Sequence, residues 1–222
     1  MKAIILAAGE GRRLKPLTDH IPKPLLKING QCLIEYHINA LVKAGINEII
    51  INVSHLGQQI IDTLGDGHRY NAKLAYSIES EPLETAGGIL KALPLLGSNP
   101  FIAISADIFT DYHFKNLVDL PIHLAHLVLT DNPPFHPNGD FALEKSIVKN
   151  DGKPLYNFAG ISVLSPLLFK DCKSGKFSLA PLLRSAINNF AVSGEYFQGI
   201  WHNIGTMEIY QTVQQKFANN KV

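Results

Sequence analysis

The start of the chain constrains the fold most, because an apolar run from Ala3 to Ala8 stops abruptly at a basic loop. The loop contains Gly9, Gly11, Arg12 and Arg13. Glycine lets backbone N–H groups approach phosphate oxygens closely, and arginine matches the phosphate charge. A buried strand that ends in such a loop predicts a polyphosphate site at the edge of an α/β sheet. A single arginine would favour a solvated surface loop, but the whole set favours phosphate binding.

Two common phosphate-binding patterns are absent from this loop. The G-x-x-x-x-G-K-[ST] pattern of P-loop proteins does not occur, and Gly9-x-Gly11 lacks the third glycine of the dinucleotide fingerprint. The sequence therefore disfavours a nicotinamide-dependent dehydrogenase.

The composition shows that the basic loop is a local feature of a balanced protein. The formal net charge of +1 argues against a general nucleic-acid or membrane surface. Hydrophobic residues make up 46% of the 222 residues, which is enough for a sizeable core. The two cysteines, Cys32 and Cys172, show no metal-ligand spacing, and we expect a reducing, cytoplasmic setting.

Strand and helix patterns alternate along residues 1–120, which predicts a doubly wound, mostly parallel, Rossmann-like sheet. The expected strands are Ala3–Ala8, Glu48–Val53, Leu74–Ile78 and Phe101–Ser105, and the expected helices are Leu33–Ala44, Gly57–Leu64 and Gly88–Leu93. Ligands of such sheets bind beyond the carboxyl ends of the strands, where the basic loop lies.

The pattern changes to α+β in residues 121–222, which we expect to hold the second substrate. The expected strands are Leu124–Leu129, Phe158–Leu164 and Val192–Phe197, and the expected helices are Leu179–Asn188 and Thr206–Phe217. We also predict a hairpin turn at Asn150–Lys153 and a loop at Trp201–Thr206. Both halves are expected to form a single domain, 1–222.

Asp107 and Lys23 are the next candidates for chemistry. Asp107 follows the strand Phe101–Ser105 and should share a cleft with the basic loop. A carboxylate there is suited to hold Mg²⁺ between phosphates, and the alternative is a turn or a helix cap. Lys23 lies between Pro22 and Pro24, which predicts a stiff, non-helical segment that directs its amine at one phosphate. An ordinary surface lysine is the alternative.

Several motifs together resemble the signature of sugar-1-phosphate nucleotidyltransferases. They are Leu6-Ala-Ala-Gly-x-Gly-x-Arg13-x-x-Pro16-x-Thr18, Pro22-Lys-Pro-Leu25, Gly30-x-x-Leu33-Ile34, Glu84-Thr-Ala-Gly-Gly88, Asp107 and Trp201-x-Asn-Ile-Gly-Thr206. Other stretches, such as Glu81-Pro-Leu-Glu-Thr85 and Gly139-Asp-Phe141, are similar to the N-acetylmuramate-1-phosphate uridylyltransferases of bacterial cell-wall recycling.

The resemblance implies that UTP and a sugar 1-phosphate, N-acetylmuramate 1-phosphate, react to a UDP-sugar and pyrophosphate with Mg²⁺ as cofactor. Arg13, Lys23 and Asp107 are then the catalytic residues, and Asp107 and Asn203 the metal ligands. Asn203 departs from the aspartate that is usual in the family, and it adds no charge. A capping turn before the last helix is the alternative for Asn203.

The resemblance also assigns the two binding sites, with residues 1–120 as the nucleotide-binding half and residues 121–222 as the sugar-binding half. The nucleotide contacts are expected from Ala8, Gly9, Gly11, Arg12, Arg13, Lys23, Glu81 and Gly88, and the sugar contacts from Ser105, Gly139, Asp140 and Gly160. From the residues alone, the pair Gly87-Gly88 serves equally well for helix packing, and Gly139 and Gly160 for a turn and a crowded strand.

Two rival functions keep the same fold. One is a glucose-, mannose- or heptose-1-phosphate nucleotidyltransferase. The other is a non-catalytic sensor of nucleotide sugars, and intact Arg13, Lys23 and Asp107 argue against it. We expect a monomer or a weak homodimer that binds neither nucleic acid nor membranes.

Overall fold

The computed structural model describes residues 1–217. The first half contains strands β1 to β7 and helices α1 to α3. Their bounds are β1 Lys2–Leu6, β2 Lys27–Ile28, β3 Gln31–Cys32, α1 Leu33–Lys43, β4 Glu48–Val53, α2 Gly57–Leu64, β5 Lys73–Ile78, α3 Glu84–Leu96, β6 Phe101–Ser105 and β7 Ile108–Thr110. The second half continues with β8 Ala125–Thr130, β9 Phe141–Glu144, β10 Ile147–Lys149, β11 Leu155–Leu164, α4 Ala180–Asn188, β12 Val192–Tyr196, β13 Trp201–Asn203 and α5 Met207–Phe217.

One nine-stranded sheet runs through both halves in the order β5-β4-β1-β6-β11-β8-β12-β10-β9. The first four of these strands are parallel, as expected from the alternation of strands and helices. Strand β11 then enters antiparallel between β6 and β8, and β12 runs parallel to β8. The α/β fold class is confirmed, and the sheet as a whole is mixed.

Helices cover both faces of β1, β4 and β6, and this explains why most positions of these three strands are apolar. Along β1, Ala3 and Ile5 face one core with α1 and α2, whereas Ile4 faces the other with α3 and α4. All three side chains are fully buried. Because neighbouring side chains of a strand point to opposite faces, a strand between two helix layers needs apolar residues on both faces.

Helix α3 differs from its prediction, because it begins at Glu84 and not at Gly88. Two glycines lie inside the helix for reasons of space. A Cβ atom on Gly87 would lie 2.3 Å from the carbonyl oxygen of Gly175, and one on Gly88 would lie 2.6 Å from Glu79 Oε1. Close packing, the alternative noted for this pair, therefore explains both glycines.

The predicted hairpin turn at Asn150–Lys153 is wrong. The two-residue turn lies at Lys145 and Ser146, where β9 and β10 pair directly. Residues 150–154 instead connect β10 to β11, and these strands lie on either side of β9. The Asn150 side chain donates to the carbonyl oxygen of Arg184 in α4 over 2.9 Å, and this hydrogen bond attaches the connection to the helix.

Two further short elements were predicted differently. Lys23 does not lie on a non-helical segment but begins a 3₁₀ turn, Lys23–Leu25, which the preceding Pro22 enters in extended geometry. The expected loop at Trp201–Thr206 contains β13, which pairs antiparallel with β7 in a separate two-stranded ribbon.

Within residues 1–217, no helix combines the length and the apolar character that a membrane crossing requires.

Candidate active site

A cleft of about 350 Å³ opens beyond the carboxyl ends of β1, β4 and β6. This is the edge of the sheet where the sequence predicted ligand binding. The cleft brings together most of the predicted nucleotide-binding and catalytic residues. Its lining consists of Leu6, Ala7, Ala8, Gly9, Gly11, Arg12, Arg13, Lys23, Pro24, Asn52, Glu79, Pro82, Glu84, Thr85, Ser105, Ala106, Asp107 and Gly205.

The basic loop after β1 is held in shape by Gly11. Its φ of 66° is a left-handed conformation that favours glycine, and a Cβ atom would lie 3.0 Å from Thr18 Cγ2. The Gly11 carbonyl oxygen accepts hydrogen bonds from Thr18 Oγ1 (2.9 Å) and from the backbone N–H of Leu14 (2.8 Å). The Gly11–Thr18 spacing of the motif thus closes the loop on itself.

The two arginines of the loop differ in their surroundings. Arg12 donates to both carboxylate oxygens of Glu10, over 2.5 and 3.2 Å, and this pairing lowers the pKa of Glu10. Arg13 is exposed in the cleft and forms no ion pair with any carboxylate of residues 1–217. Arg13 is therefore the more available of the two for an anionic ligand.

Lys23 and Asp107 meet in the cleft although 84 positions separate them in sequence. Lys23 Nζ donates to Asp107 Oδ2 over 2.7 Å, and the lysine side chain is only 10% exposed. A cation with so little access to water needs an anionic partner. The carboxylate supplies that partner, and it keeps the ammonium group at the centre of the cleft.

Asn203 is placed beside Asp107 by the ribbon of β7 and β13. Asn203 pairs with Ile108, and the backbone N–H of Ile204 donates to the carbonyl oxygen of Asp107 over 2.8 Å. Asn203 Oδ1 is buried and has no hydrogen-bond partner among residues 1–217. A buried acceptor without a partner is costly unless a ligand completes it, so this oxygen fits a metal-ligand role.

The protein alone supplies few metal ligands at this point. No group of three or more His, Cys, Asp or Glu side chains within the described 217 residues is arranged to hold a metal ion. One carboxylate and one amide oxygen suit Mg²⁺, which commonly takes its remaining ligands from water and substrate phosphates. Asp107 and Asn203 thus fit a cation that arrives with a phosphate group.

Asn52 and Glu79 are cleft residues that sequence reasoning missed. Both are almost fully buried, and Asn52 Nδ2 donates to Glu79 Oε1 over 2.7 Å. Asn52 Oδ1 accepts from the N–H of Ala7, and Glu79 Oε2 accepts from the N–H of Leu83. The pair thereby ties the end of β1 to the start of α3. A polar residue inside the apolar run of β4 was the available signal.

Two predicted nucleotide contacts, Glu81 and Gly88, do not line the cleft. Glu81 is exposed on the loop before α3. Gly88 lies behind the pair of Asn52 and Glu79, where a Cβ atom would lie 2.7 Å from Asn52 Nδ2. Gly88 acts on the cleft through this packing, and a direct contact to a nucleotide stays a prediction.

The predicted sugar residues are divided between two places. Ser105 lines the cleft, and Gly160 packs behind it, because a Cβ atom on Gly160 would lie 3.0 Å from Ser105 Oγ. Asp140 does not line the cleft, and neither does Gly139. The Asp140 carboxylate accepts from the N–H of Phe158 over 2.8 Å and from His136 Nε2 over 3.0 Å. These bonds occupy the carboxylate in joining two parts of the second half.

His37 supports the ribbon from below. It is a buried residue of α1, and its Nε2 lies 2.9 Å from the carbonyl oxygen of Ile108. A carbonyl oxygen only accepts, so Nε2 carries the hydrogen. Burial lowers the pKa of His37 to about 4, which keeps the ring neutral near pH 7. Helix α1 thus holds β7 next to Asp107.

Comparison with known proteins gives a consistent result. The sequence model of the nucleotidyl transferase family matches residues 2–141. The N-acetylmuramate alpha-1-phosphate uridylyltransferase of Neisseria meningitidis is 46% identical over 218 residues, which cover 93% of this chain and 94% of that protein. A mannose-1-phosphate guanyltransferase of Aspergillus fumigatus is 30% identical over 96% of this chain, and the match spans 63% of the fungal protein.

Solved structures show the same fold. A candidate glucose-1-phosphate thymidylyltransferase from Bacillus anthracis superposes with a TM-score of 0.89 at 19% identity, over 100% of this chain and 97% of that one. HddC from Yersinia pseudotuberculosis superposes with a TM-score of 0.79 at 25% identity, over 97% of this chain and 99% of that one.

Proposed function

We propose that this chain, which belongs to the nucleotidyl transferase family, transfers a uridylyl group from UTP to N-acetylmuramate 1-phosphate and releases pyrophosphate. The observation that carries the proposal is the single cleft in which the glycine-containing basic loop meets the ion pair of Lys23 and Asp107. The choice of uridylyl and muramate is supported by the 46% identity to the Neisseria enzyme.

The proposed chemistry requires charge neutralisation and alignment more than acid–base catalysis. A phosphate oxygen of the sugar 1-phosphate is already anionic, so it needs no general base before it attacks the α-phosphorus in line. The backbone of the Gly9–Gly11 segment and the Arg13 side chain would bind the β- and γ-phosphates. Lys23 would bind the α-phosphate or the sugar phosphate. Two anions brought together in this way gain most from preorganised cations.

Asp107 and Asn203 would hold Mg²⁺, and the bound ion would supply charge neutralisation between the two reacting phosphates. The unpartnered Oδ1 of Asn203 and the carboxylate of Asp107 support this proposal. Substrate phosphates would bind Lys23 in place of Asp107, and the Asp107 carboxylate would then be free to hold the cation. The pairing of Lys23 with Asp107 therefore holds both groups in place for phosphate and metal binding, and neither charge is left without a partner before the substrates bind.

A grid of four nucleoside triphosphates against several sugar 1-phosphates, with pyrophosphate release as the readout, tests the proposal. We expect UTP with N-acetylmuramate 1-phosphate to give the highest kcat/KM. A preference for glucose, mannose or heptose 1-phosphate would change the proposed sugar substrate and leave the proposed reaction class standing. Binding of a nucleotide sugar without pyrophosphate release from any pair would indicate the non-catalytic sensor.

N-acetylmuramate is a sugar of the bacterial cell wall, so we place the reaction in peptidoglycan recycling in the cytoplasm. We also propose that the active enzyme is a monomer or a weak homodimer. Sedimentation equilibrium with and without UTP tests that last part.

A further inference from the structure

Glu84 is a cleft residue to which the proposed chemistry assigns no task. It begins α3, lines the cleft and is exposed. Its φ of 61° lies in the left-handed region, which is unfavourable for a residue with a side chain and open to glycine. Residues with side chains keep such a conformation where the neighbouring structure enforces it, and they do so most often at functional sites.

Backbone contacts on both sides of Glu84 enforce its conformation. The backbone N–H of Leu83 donates to Glu79 Oε2 over 2.9 Å, and the carbonyl oxygen of Leu83 accepts from the N–H of Phe177 over 3.1 Å. The carbonyl oxygen of Phe177 in turn accepts from the N–H of Ala86 over 3.1 Å. The start of α3 is therefore held without any contribution from the Glu84 side chain.

Three carboxylates line the cleft, and two of them are already engaged within the protein. Asp107 pairs with Lys23, and the almost fully buried Glu79 accepts from Asn52 Nδ2. The Glu84 carboxylate forms no hydrogen bond or ion pair with any of residues 1–217. It is therefore the cleft carboxylate that is available to a ligand.

The order of the strands separates Glu84 from the cations of the cleft. The basic loop follows β1, whereas the segment that carries Glu84 follows β5, and β4 lies between these two strands. Two strand spacings, roughly 10 Å, therefore separate the ends of β1 and β5. A carboxylate repels phosphate groups, so a triphosphate bound at Arg13 and Lys23 directs its nucleoside towards Glu84.

A carboxylate matches the ribose of a uridine nucleotide better than it matches the base. An ionised carboxylate only accepts hydrogen bonds. The pairing edge of uracil has one N–H donor between two carbonyl oxygens, and these oxygens would repel a carboxylate. The 2′- and 3′-hydroxyls of ribose are two adjacent donors, and their bonds to a charged acceptor are short and strong.

We propose that Glu84 accepts hydrogen bonds from the ribose hydroxyls of UTP and makes the cleft selective against nucleotides that lack them. The inference rests on the proposed function, because it takes UTP as the nucleotide. It explains why a side chain is present at a position where glycine would suit the backbone better.

A Glu84→Gly variant tests the proposal, because glycine adopts the φ of 61° without strain and the carboxylate is lost. Calorimetry compares the affinities for UTP and for 2′,3′-dideoxy-UTP, which lacks both hydroxyls. We expect the variant to lower the preference for UTP at least tenfold, as for the loss of hydrogen bonds to a charged group. The affinity for the dideoxy nucleotide should be unchanged or higher. A loss of folded protein affects both nucleotides equally and cancels.

Two further variants separate the role of the carboxylate from a change in net charge. Glu84→Gln keeps an acceptor oxygen without the charge, and its preference for UTP should lie between those of the wild type and Glu84→Gly. The control is Asp62→Asn, which removes an exposed carboxylate of α2 outside the cleft and changes the net charge by the same amount. It should keep the wild-type preference.

Direct binding also separates this inference from the proposed function. If the wild type binds UTP but releases no pyrophosphate, the function fails, and the two affinities still decide the role of Glu84. An unchanged preference in Glu84→Gly would overturn that role, and so would an equal loss in Asp62→Asn or equal affinities of the wild type for both nucleotides. A changed preference for UTP over CTP, with the ribose preference intact, would overturn it in favour of a contact to the base.

Discussion

Lys23 and Asp107 determine what a substitution in the cleft costs, because each neutralises the other in a partly buried place. Removal of one partner leaves the other charge poorly solvated. The same two groups are proposed to serve the phosphates and the metal. Stability and activity are therefore linked at these residues, and a useful experiment has to measure both.

The Asp107→Asn variant should lower turnover by several orders of magnitude, because the proposed metal site loses its only carboxylate. It should also lower the free energy of unfolding by about 1–3 kcal/mol, since Lys23 loses its partner. Asn203→Asp should be tolerated and tighten Mg²⁺ binding, because it adds a carboxylate. Steady-state kinetics over a magnesium series and urea unfolding measure these effects. Near-normal turnover of Asp107→Asn at low magnesium would contradict the assignment.

Arg13 is expected to act on the transition state. Arg13→Ala should lower kcat and kcat/KM together by roughly 10²- to 10³-fold, as loss of one electrostatic donor does in other enzymes. The control is Lys15→Ala, which removes an exposed cation that pairs with Asp19 outside the cleft. A raised KM for UTP with unchanged kcat would show that Arg13 is a plain binding group.

The chain sequence predicted which charged residues share the cleft, because each follows a strand end or a loop with a distinct pattern. Arg13, Lys23 and Asp107 are brought together as expected. Asn52 and Glu79 could not be paired from the sequence, since their contact depends on how β4 and the end of β5 lie side by side.

At the scale of secondary structure, most long elements were predicted well, with α3 as the exception, and the short ones were not. Strands β1, β4 and β6 are buried on both faces and carry several apolar residues in succession. Strands β7 and β13 have three residues each, and each exists because the other supplies its hydrogen bonds from a distant position. Pairing over such a distance leaves no local pattern. The ribbon that carries Asn203 to Asp107 was therefore missed.

His37 connects this ribbon to α1, and it makes the ribbon sensitive to pH. Its pKa is lowered to about 4 from the ordinary 6.5, so the unfolded chain binds more protons between these values. The contribution of His37 to the free energy of unfolding should be fully present above pH 6.5, and it should be lost as the pH falls towards 4. The loss is on the order of 3 kcal/mol if His37 acts alone.

A His37→Gln variant should show a weaker dependence over this range, because glutamine can donate to Ile108 and does not titrate. Urea unfolding at pH 7 and pH 5 measures the difference. His126 and His202, whose pKa values burial also lowers, remain in both proteins and contribute to the residual slope. Equal slopes for the variant and the wild type would show that His37 is not the responsible group.

Over the whole molecule, β6 joins the two halves of the sheet. Ile104 pairs with Ile5 of β1 on one side and with Ile161 of β11 on the other, and all three are fully buried. The two large cores on either side of the sheet both include residues from beyond position 121. If one half unfolded alone, the apolar surface of the other half would become exposed to water. This cost favours cooperative unfolding of both halves.

We therefore predict that the chain unfolds as one unit, in line with the single domain expected from its sequence. Trp201, the only tryptophan of the chain, reports on the contact between β13 and β11 through its bond to Ala159. Cys32, buried at the start of α1, reports on the first half through thiol labelling in a Cys172→Ser background. The urea midpoints of both signals should coincide with that of far-ultraviolet circular dichroism. Separate midpoints would show that residues 1–120 and 121–222 unfold as two units, and the contact at β6 would then be too weak to couple them.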